Sequence, residues 1–410
     1  MTDEAALFSG SAALRRRGPI LPIPRGVGDS RRTVLWPAVA IWLAARAFGT
    51  SVGLLANTLH RSVDPRYAGS GSYFRLFMHW DSGYYVAIIQ HGYFGSHIAG
   101  TAQAFFPGYP VVAKGVAEVI SGGRITPLSI EVALWLVTTV ASLGVALLIW
   151  TLANEVGGRR VALAATVLFM FSPYSVFLLA SYSEALFLVF AIGAWLCGTR
   201  QQWLFAGLLC AAASFTRING LFLFIALLVM FGQQFRQQRR PLLSRDLVGL
   251  CFGPVGLVAY FGFLAAKTGH LNEWQRQEQL GWGRRAQWPW QTAVHTVGKA
   301  LNATSPDRRV QFALDLVFVA IAVIAAVLFL RGRQYAEATL IVATLVSLMT
   351  SYTYVSAARY ELSFFPIFIG LADYATAAGR SRTLLRVVFA LCVILAVYNT
   401  SAFSLGYWAD

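Results

Sequence analysis

Four charged residues are predicted at the outer boundary of the membrane. Asp81 lies in a long loop, and Glu184, Arg217 and Arg359 lie within or at the ends of apolar segments. A charged side chain inside a bilayer costs roughly 2.5–3.5 kcal/mol on insertion scales, so such residues usually face the interior of a helix bundle. The planar guanidinium group of arginine binds phosphate through two hydrogen bonds and keeps its charge. One carboxylate with two arginines beside membrane-embedded helices would suit a lipid that carries a phosphate.

Asp81 begins a segment that predicts a short helix. Aspartate is favoured at a helix N-terminus and glycine at a C-terminus, so this helix is expected between Asp81 and Gly92. Its apolar side chains recur at helical spacing and are expected to face lipid headgroups; they are Tyr84, Tyr85, Ile88 and Ile89. The positive end of the helix dipole favours an ionised Asp81, although a role as a helix cap alone is the alternative.

The other three charged residues occupy the outer ends of apolar segments. Arg217 separates two short apolar runs, 203–215 and 221–231, which predicts a broken helical hairpin with the arginine at its tip. Such a break is tolerated only where protein or water surrounds it. Glu184 is expected either to cap the next helix or to hold a substrate hydroxyl or a basic partner. For Arg217 and Arg359, the alternative is a side chain that extends to the membrane interface.

The composition assigns the chain to the all-α polytopic membrane proteins. Of its 410 residues, 57% are hydrophobic and 12% are charged, and the mean hydropathy is +0.58; soluble domains contain about 25% charged residues. The net charge of +15 could indicate nucleic-acid binding, but the arginines cluster between apolar segments, as in cytoplasmic loops of membrane proteins. We therefore expect no nucleic-acid partner. The cysteines lie inside apolar runs without the spacing of metal ligands.

Apolar segments of about 20 residues predict about eleven membrane crossings. The predicted segments are 34–56, 128–152, 161–180, 184–199, a hairpin within 203–231, 247–266, 311–330, 335–353, 361–378 and 384–403. Residues 1–32 are expected to form a disordered basic cytoplasmic tail, and 33–410 a single transmembrane domain. Two long loops, about 57–127 and 267–310, are expected outside the cytoplasm, where they would carry interfacial helices.

The order of several motifs resembles that of the PIG-V mannosyltransferase family. These motifs are Trp80-Asp81 before the aromatic helix, Gly92-Tyr93, Phe105-Phe106-Pro107 with Pro110, Ser172-Pro173, Tyr182-Ser183-Glu184 and Arg217-Ile218-Asn219-Gly220. The resemblance covers most of residues 34–378 and implies a transmembrane helix bundle of the GT-C type in an actinobacterial member. It also implies a multi-pass protein of the bacterial plasma membrane with an extracytoplasmic active site, and the basic residues before the first span predict a cytoplasmic N-terminus.

The resemblance further implies transfer of mannose from a polyprenyl-phosphate carrier to a glycolipid or glycan, with Asp81 as the candidate base. On the hypothesis of a single inverting displacement, Arg217 and Arg359 would bind the donor phosphate. Sugar or acceptor binding is assigned to His79, Trp80, Tyr84, Tyr85, Tyr182, Glu184 and Asn219. Candidates for stacking on sugars are Trp274, Trp282, Trp288 and Trp290, although most are expected to belong to the interfacial aromatic belt. No cofactor or divalent metal is expected.

Three alternatives stay open. The transferred sugar could be a pentose such as arabinose, because pocket shape rather than a motif selects it. An anionic-lipid transporter or flippase would also need outer arginines and a broken helix, although transporters usually contain internal repeats and midplane sites, which this sequence lacks. A non-catalytic subunit would not require Asp81. The motifs leave the acceptor, the linkage, the polyprenol length and the oligomeric state open.

Overall fold

A computed structural model describes residues 34–60, 73–95, 100–238, 244–377, 383–407 and 409, and the regular structure within these ranges is helical. The expected disordered tail, 1–32, lies outside the described residues. The α-helices are α1 Trp36–Leu59, α2 Asp81–His91, α3 Gly108–Ile120, α4 Pro127–Met170, α5 Glu184–Thr199, α6 Trp203–Thr216, α7 Asn219–Gln238, α8 Arg245–Leu250, α9 Val255–Thr268, α10 Glu273–Trp282, α11 Pro289–Asn302, α12 Pro306–Arg331, α13 Tyr335–Met349, α14 Phe365–Thr376 and α15 Thr383–Ser404.

Among the described residues, five helices are long and apolar enough to cross a membrane: α1, α4, α7, α12 and α15. Four shorter apolar helices, α5, α6, α9 and α13, accompany them. The protein is therefore a helical membrane protein, as the composition predicted, but the expected number of about eleven crossings is not confirmed. The backbone of α4 leaves helical dihedral angles at Gly157 and Gly158, so α4 consists of two helices that meet at a kink between the predicted spans 128–152 and 161–180.

The predicted span 161–180 is helical only as far as Met170. Pro173 lacks a backbone N–H and disfavours helical geometry at the preceding residue, so the helix cannot continue. The chain instead makes turns and a short 3-10 helix, Ser175–Leu178, before α5 begins at Glu184. We call this non-helical stretch, residues 171–183, the central segment.

The central segment is buried, so its backbone groups need partners within the protein. Side chains from two other elements supply some of them. Asn399 of α15 donates to the Pro173 carbonyl at 2.9 Å, and the Glu361 carboxylate accepts from the Tyr174 N–H at 2.8 Å. The backbone N–H of Ser181 donates to a carbonyl of the first loop at 3.2 Å. These bonds hold the irregular chain in one conformation directly before Glu184.

The first long loop contains the predicted short helix, but its aromatic face does not point towards lipid. Gly92 is the C-cap of α2, as expected, while its N-cap residue is Trp80 and Asp81 is its first residue. Tyr85 is buried and packs edge-on against Phe105 and Tyr109, with ring centroids 5.4 and 4.9 Å apart. The expected orientation is wrong because α3 and the segment before it cover this face.

The predicted break in the 203–231 hairpin is present. Helix α6 ends at Thr216, Arg217 adopts an extended conformation (φ −154°, ψ 153°), and α7 begins at Asn219. Gly220 packs so closely on the backbone of Ser214 that a methyl group on its Cα would overlap it. This contact between α6 and α7 fixes the position of the arginine between them.

Replacing Gly220 with alanine should therefore lower the melting temperature of the detergent-solubilised protein. Overpacking of this kind typically costs about 1–3 kcal/mol. Gly232→Ala on the same helix is the matched control, because a Cβ there meets no heavy atom within 4 Å, and alanine favours a helix by about 1 kcal/mol. Equal melting temperatures for the two variants would contradict the close approach.

Candidate active site

The four charged residues identified from the sequence form one connected network. Both Nη atoms of Arg359 donate to Asp81 Oδ2, at 3.1 and 3.2 Å, and its Nε lies 2.6 Å from Glu184 Oε1. The same Glu184 oxygen accepts from Arg217 Nη1 at 2.6 Å. The order Asp81–Arg359–Glu184–Arg217 therefore alternates in charge, and each side chain is at most 14% exposed.

The neutral side chains of Ser183 and Tyr85 extend this network through hydrogen bonds. Ser183 Oγ accepts from Arg217 Nη1 and from the Tyr85 hydroxyl, both at 3.0 Å. Burial is the main cause that raises the pKa of Tyr85, with the charges of Glu184 and Asp81 adding to it. The phenol therefore stays protonated and able to donate to Ser183.

The aromatic residues of the central segment hold Arg359 and the start of α2. The Arg359 guanidinium lies over the rings of Phe177 and Tyr182, at 5.0 and 5.2 Å from their centroids, where it gains cation–π attraction. The Tyr182 hydroxyl accepts from the Asp81 N–H and donates to the His79 carbonyl, both at 3.1 Å. Tyr182 thus connects the central segment to the first loop directly beside the carboxylate.

Arg359 lies in a 3-10 helix, Ala358–Phe364, which leads into α14. Two buried carboxylates anchor this helix: Asp315 of α12 accepts from the Ala358 N–H at its start, at 2.9 Å, and its own Glu361 accepts from Tyr174 as described above. Arg359 is therefore held by the bundle rather than extended freely to the interface, which was the alternative expected from the sequence.

A pocket opens beside the network. Five of the residues assigned from the sequence line it: Asp81, Tyr85, Arg217, Asn219 and Arg359. Aromatic side chains from both long loops form much of its remaining wall, namely Phe105, Phe106, Trp274 and Trp282. The pocket therefore combines apolar walls with a few charged groups, as is typical of sites for organic ligands.

The other assigned residues lie outside the pocket lining. Glu184 and Tyr182 are buried beneath it and contact its charged groups, as described above. Three lie elsewhere: His79 packs edge-on against Phe403 at 5.7 Å, Trp80 donates to the Tyr407 carbonyl at 3.2 Å, and Tyr84 stacks on Phe105 at 4.5 Å.

The tryptophans of the second loop divide into two pairs. Trp274 and Trp282 line the pocket, whereas Trp288 and Trp290 are exposed and stack on each other at 5.1 Å. The exposed pair is consistent with the interfacial belt that the sequence suggested.

A second ion pair in the pocket, between Glu278 and Arg284, was not predicted from the sequence. Glu278 of α10 lies 3.3 Å from Arg284, and both line the pocket. Burial is the main cause that raises the pKa of Glu278, and the charge of Asp81 adds to it, while Arg284, Arg217 and Arg359 oppose it. Trp274, Glu278 and Trp282 recur every four residues, and this spacing was the sequence pattern that indicates one helix face. That face lines the pocket.

No group of three or more His, Cys, Asp or Glu side chains converges for metal binding within the described ranges. The expected independence from metal stays a prediction.

Comparison with known proteins assigns the family. Residues 44–252, about half of the chain, match the family model described as Mannosyltransferase (PIG-V). The chain belongs to the PIG-V mannosyltransferase family. The matched region contains Asp81, Glu184 and Arg217, whereas Arg359 and Glu278 lie beyond it.

Curated relatives of this family member include the GPI alpha-1,6-mannosyltransferase 2 of Mus musculus, 34% identical over 168 residues, and that of Homo sapiens, 30% identical over 153 residues. These matches cover 38% and 35% of this chain. The aligned stretch spans only about a third of the relatives' own length, 33% and 29% respectively.

The fold is confirmed by a solved structure. The apo oligosaccharyltransferase of Archaeoglobus fulgidus superimposes with a TM-score of 0.50 at 12% sequence identity, over 93% of this chain and 57% of that one. The helix bundle is thus of the GT-C type expected for the family.

Neutralising Glu184 should destabilise the protein strongly. Glu184→Gln leaves two buried arginines without their shared carboxylate, and breaking a buried ion pair typically costs about 3–5 kcal/mol. The control is Glu155→Gln, because Glu155 pairs with Arg200 at a more exposed position, where the loss is about 1 kcal/mol or less. Thermal melting in detergent measures both, and a Glu184 variant as stable as the control would refute the shared-carboxylate network.

Proposed function

We propose that this protein transfers a hexose, most favourably mannose, from a polyprenyl-phosphate donor to a hydroxyl group of a lipid or glycan acceptor. The reaction takes place on the extracytoplasmic face of a bacterial plasma membrane, with the N-terminus in the cytoplasm. The observation that carries this proposal is the joint presence of Asp81 and Arg217 in one pocket with aromatic walls. Membership of the PIG-V family supports the same activity.

The chemistry requires one base and a binding site for the leaving phosphate. The acceptor oxygen forms a bond to the anomeric carbon, and the bond from that carbon to the phosphate oxygen breaks, leaving its electron pair on the phosphate. The hydroxyl proton passes to the Asp81 carboxylate. A single displacement inverts the anomeric centre and needs one base, whereas glycosidases usually place two carboxylates around the bond.

Asp81 is oriented for this task by Arg359. Both hydrogen bonds from Arg359 reach Oδ2, so Oδ1 is the oxygen proposed to take the proton. The Tyr182 hydroxyl fixes the backbone of the same residue. A base held in one orientation gains rate through proximity rather than through strength alone.

The two arginines differ in their capacity to bind phosphate. Both Nη atoms of Arg359 donate to Asp81, and its Nε lies 2.6 Å from Glu184 Oε1. Arg217 uses Nη1 for Glu184 and Ser183, which leaves Nε and Nη2 for a ligand in the pocket that it lines. Arg217 is therefore the principal phosphate ligand in this proposal. Arg359 also contacts the phosphate, and its main role is to orient Asp81.

Asp81→Asn should lower sugar transfer by about 10²- to 10⁴-fold, because the amide cannot accept the hydroxyl proton. The assay uses protein reconstituted in vesicles with polyprenyl-phosphate mannose and, separately, polyprenyl-phosphate arabinose. Asp246→Asn, half-exposed in α8, is the control. Near wild-type transfer by the Asp81 variant would refute the assignment of Asp81 as the base. Translocation of the lipid without sugar transfer would instead support the alternative of a flippase. Faster transfer of arabinose than of mannose would support the alternative of a pentosyltransferase.

Arg217→Ala should raise the KM for the donor by roughly tenfold to a hundredfold, since a charge-assisted hydrogen bond contributes about 1.5–3 kcal/mol. Arg217→Lys should restore only part of this loss, because an ammonium group cannot bind phosphate through a planar pair of donors. The exposed Arg245 provides the Arg→Ala control. An unchanged KM in Arg217→Ala would remove this residue from the phosphate site.

A further inference from the structure

Helix α10 of the second loop forms one wall of the pocket with a regular stripe of side chains. Trp274, Glu278 and Trp282 follow one another every four residues, so they share one helix face, and all three line the pocket. Trp282 packs against Phe105 of the first loop, with ring centroids 5.5 Å apart. The two loops therefore meet at an aromatic surface that has a carboxylate beside it.

Asn219, the first residue of α7, lines the same pocket and is only 2% exposed. Neither its Oδ1 nor its Nδ2 has a hydrogen-bond partner among the described residues. Buried polar groups are nearly always paired, and leaving them unpaired is unfavourable. An unpaired buried amide in a pocket therefore points to a ligand that completes its hydrogen bonds.

The chemistry of the amide restricts that ligand. Oδ1 only accepts hydrogen bonds and Nδ2 only donates them, so the matching groups must do both. Phosphate accepts without donating when it is a diester anion, and an ammonium group donates without accepting. Hydroxyl groups do both, which makes a sugar ring the fitting class of ligand.

Glu278 complements Asn219 from α10. A carboxylate accepts hydrogen bonds from hydroxyl groups. Among the residues that the structure describes, Glu278 forms an ion pair with Arg284 alone, at 3.3 Å. This contact is long and involves a single guanidinium nitrogen, whereas Asp81, which also lines the pocket, accepts two hydrogen bonds from Arg359, at 3.1 and 3.2 Å. Glu278 is thus the pocket carboxylate that is least committed to arginine.

We propose that Asn219 and Glu278 bind hydroxyl groups of the transferred sugar and that α10 thereby determines which sugar is accepted. This assignment rests on the proposed function and adds a sugar site separate from the phosphate site at Arg217. Trp282 supplies the apolar surface beside the ring. The helix of the second loop, outside the family match, then sets the specificity of a reaction centred on the first loop.

The test compares two lipids, undecaprenyl phosphate with and without mannose, binding to the full-length protein in nanodiscs. Asn219→Leu removes the amide at similar volume. We expect roughly tenfold weaker binding of the mannosylated lipid, unchanged binding of the bare lipid and a melting temperature equal to or above that of the wild type. The exposed Asn302 provides the control, Asn302→Leu, which should change none of these quantities.

Glu278→Gln is the second variant, with the exposed Glu118→Gln as its control. It should weaken binding of the mannosylated lipid without weakening binding of the bare lipid. It should also change the ratio of kcat/KM between mannosyl and arabinosyl donors at least severalfold. Equal weakening of both lipids, a lower melting temperature in Asn219→Leu, or an unchanged sugar ratio in Glu278→Gln would overturn the sugar site.

These outcomes separate this inference from the proposed reaction. Selective binding of the mannosylated lipid without any transfer would contradict the reaction and keep the sugar site. Sugar transfer that depends on Asp81 but is unchanged by Asn219→Leu and Glu278→Gln would contradict the sugar site and leave the proposed reaction intact.

Discussion

The site depends on one buried carboxylate oxygen that contacts two arginines. Glu184 Oε1 lies 2.6 Å from both Arg217 and Arg359, which come from different parts of the chain. Two guanidinium groups repel each other strongly where water is scarce, and a shared carboxylate converts that repulsion into attraction. Because Arg359 in turn holds Asp81, the position of the proposed base depends on Glu184 although Glu184 does not line the pocket.

Glu184 is placed by a stretch of chain that is not helical. The central segment needs hydrogen-bond partners from Asn399, Glu361 and the first loop, so the last helices of the chain help to shape a site built mainly from the first half. This dependence explains why Arg359, beyond the region matched by the family, belongs to the same network. A helix bundle could not present Ser183, Tyr182 and Phe177 to one point without such a break in its helices.

The sequence predicted the class of protein and the central charges for physical reasons. Charged residues in apolar segments must find each other or water, so grouping Asp81, Glu184, Arg217 and Arg359 at one level was justified. Spacing alone could not show which neighbour covers a helix face, and the aromatic face of α2 proved to be buried. Glu278 was overlooked because its loop contains many charges, and only the folded chain brings α10 to the pocket. The distant contacts of the central segment were likewise beyond any local pattern.

In the proposed complex, the donor binds with its phosphate at Arg217 and its sugar beside Asp81. A cryo-electron-microscopy structure of the protein in nanodiscs with bound undecaprenyl-phosphate mannose tests this directly. Phosphate density is expected within hydrogen-bond distance of Arg217, with the anomeric carbon facing Asp81. Phosphate density at Arg46, which lines a separate cavity with Ser142 and Leu178, with no ligand between Asp81 and α10, would contradict it.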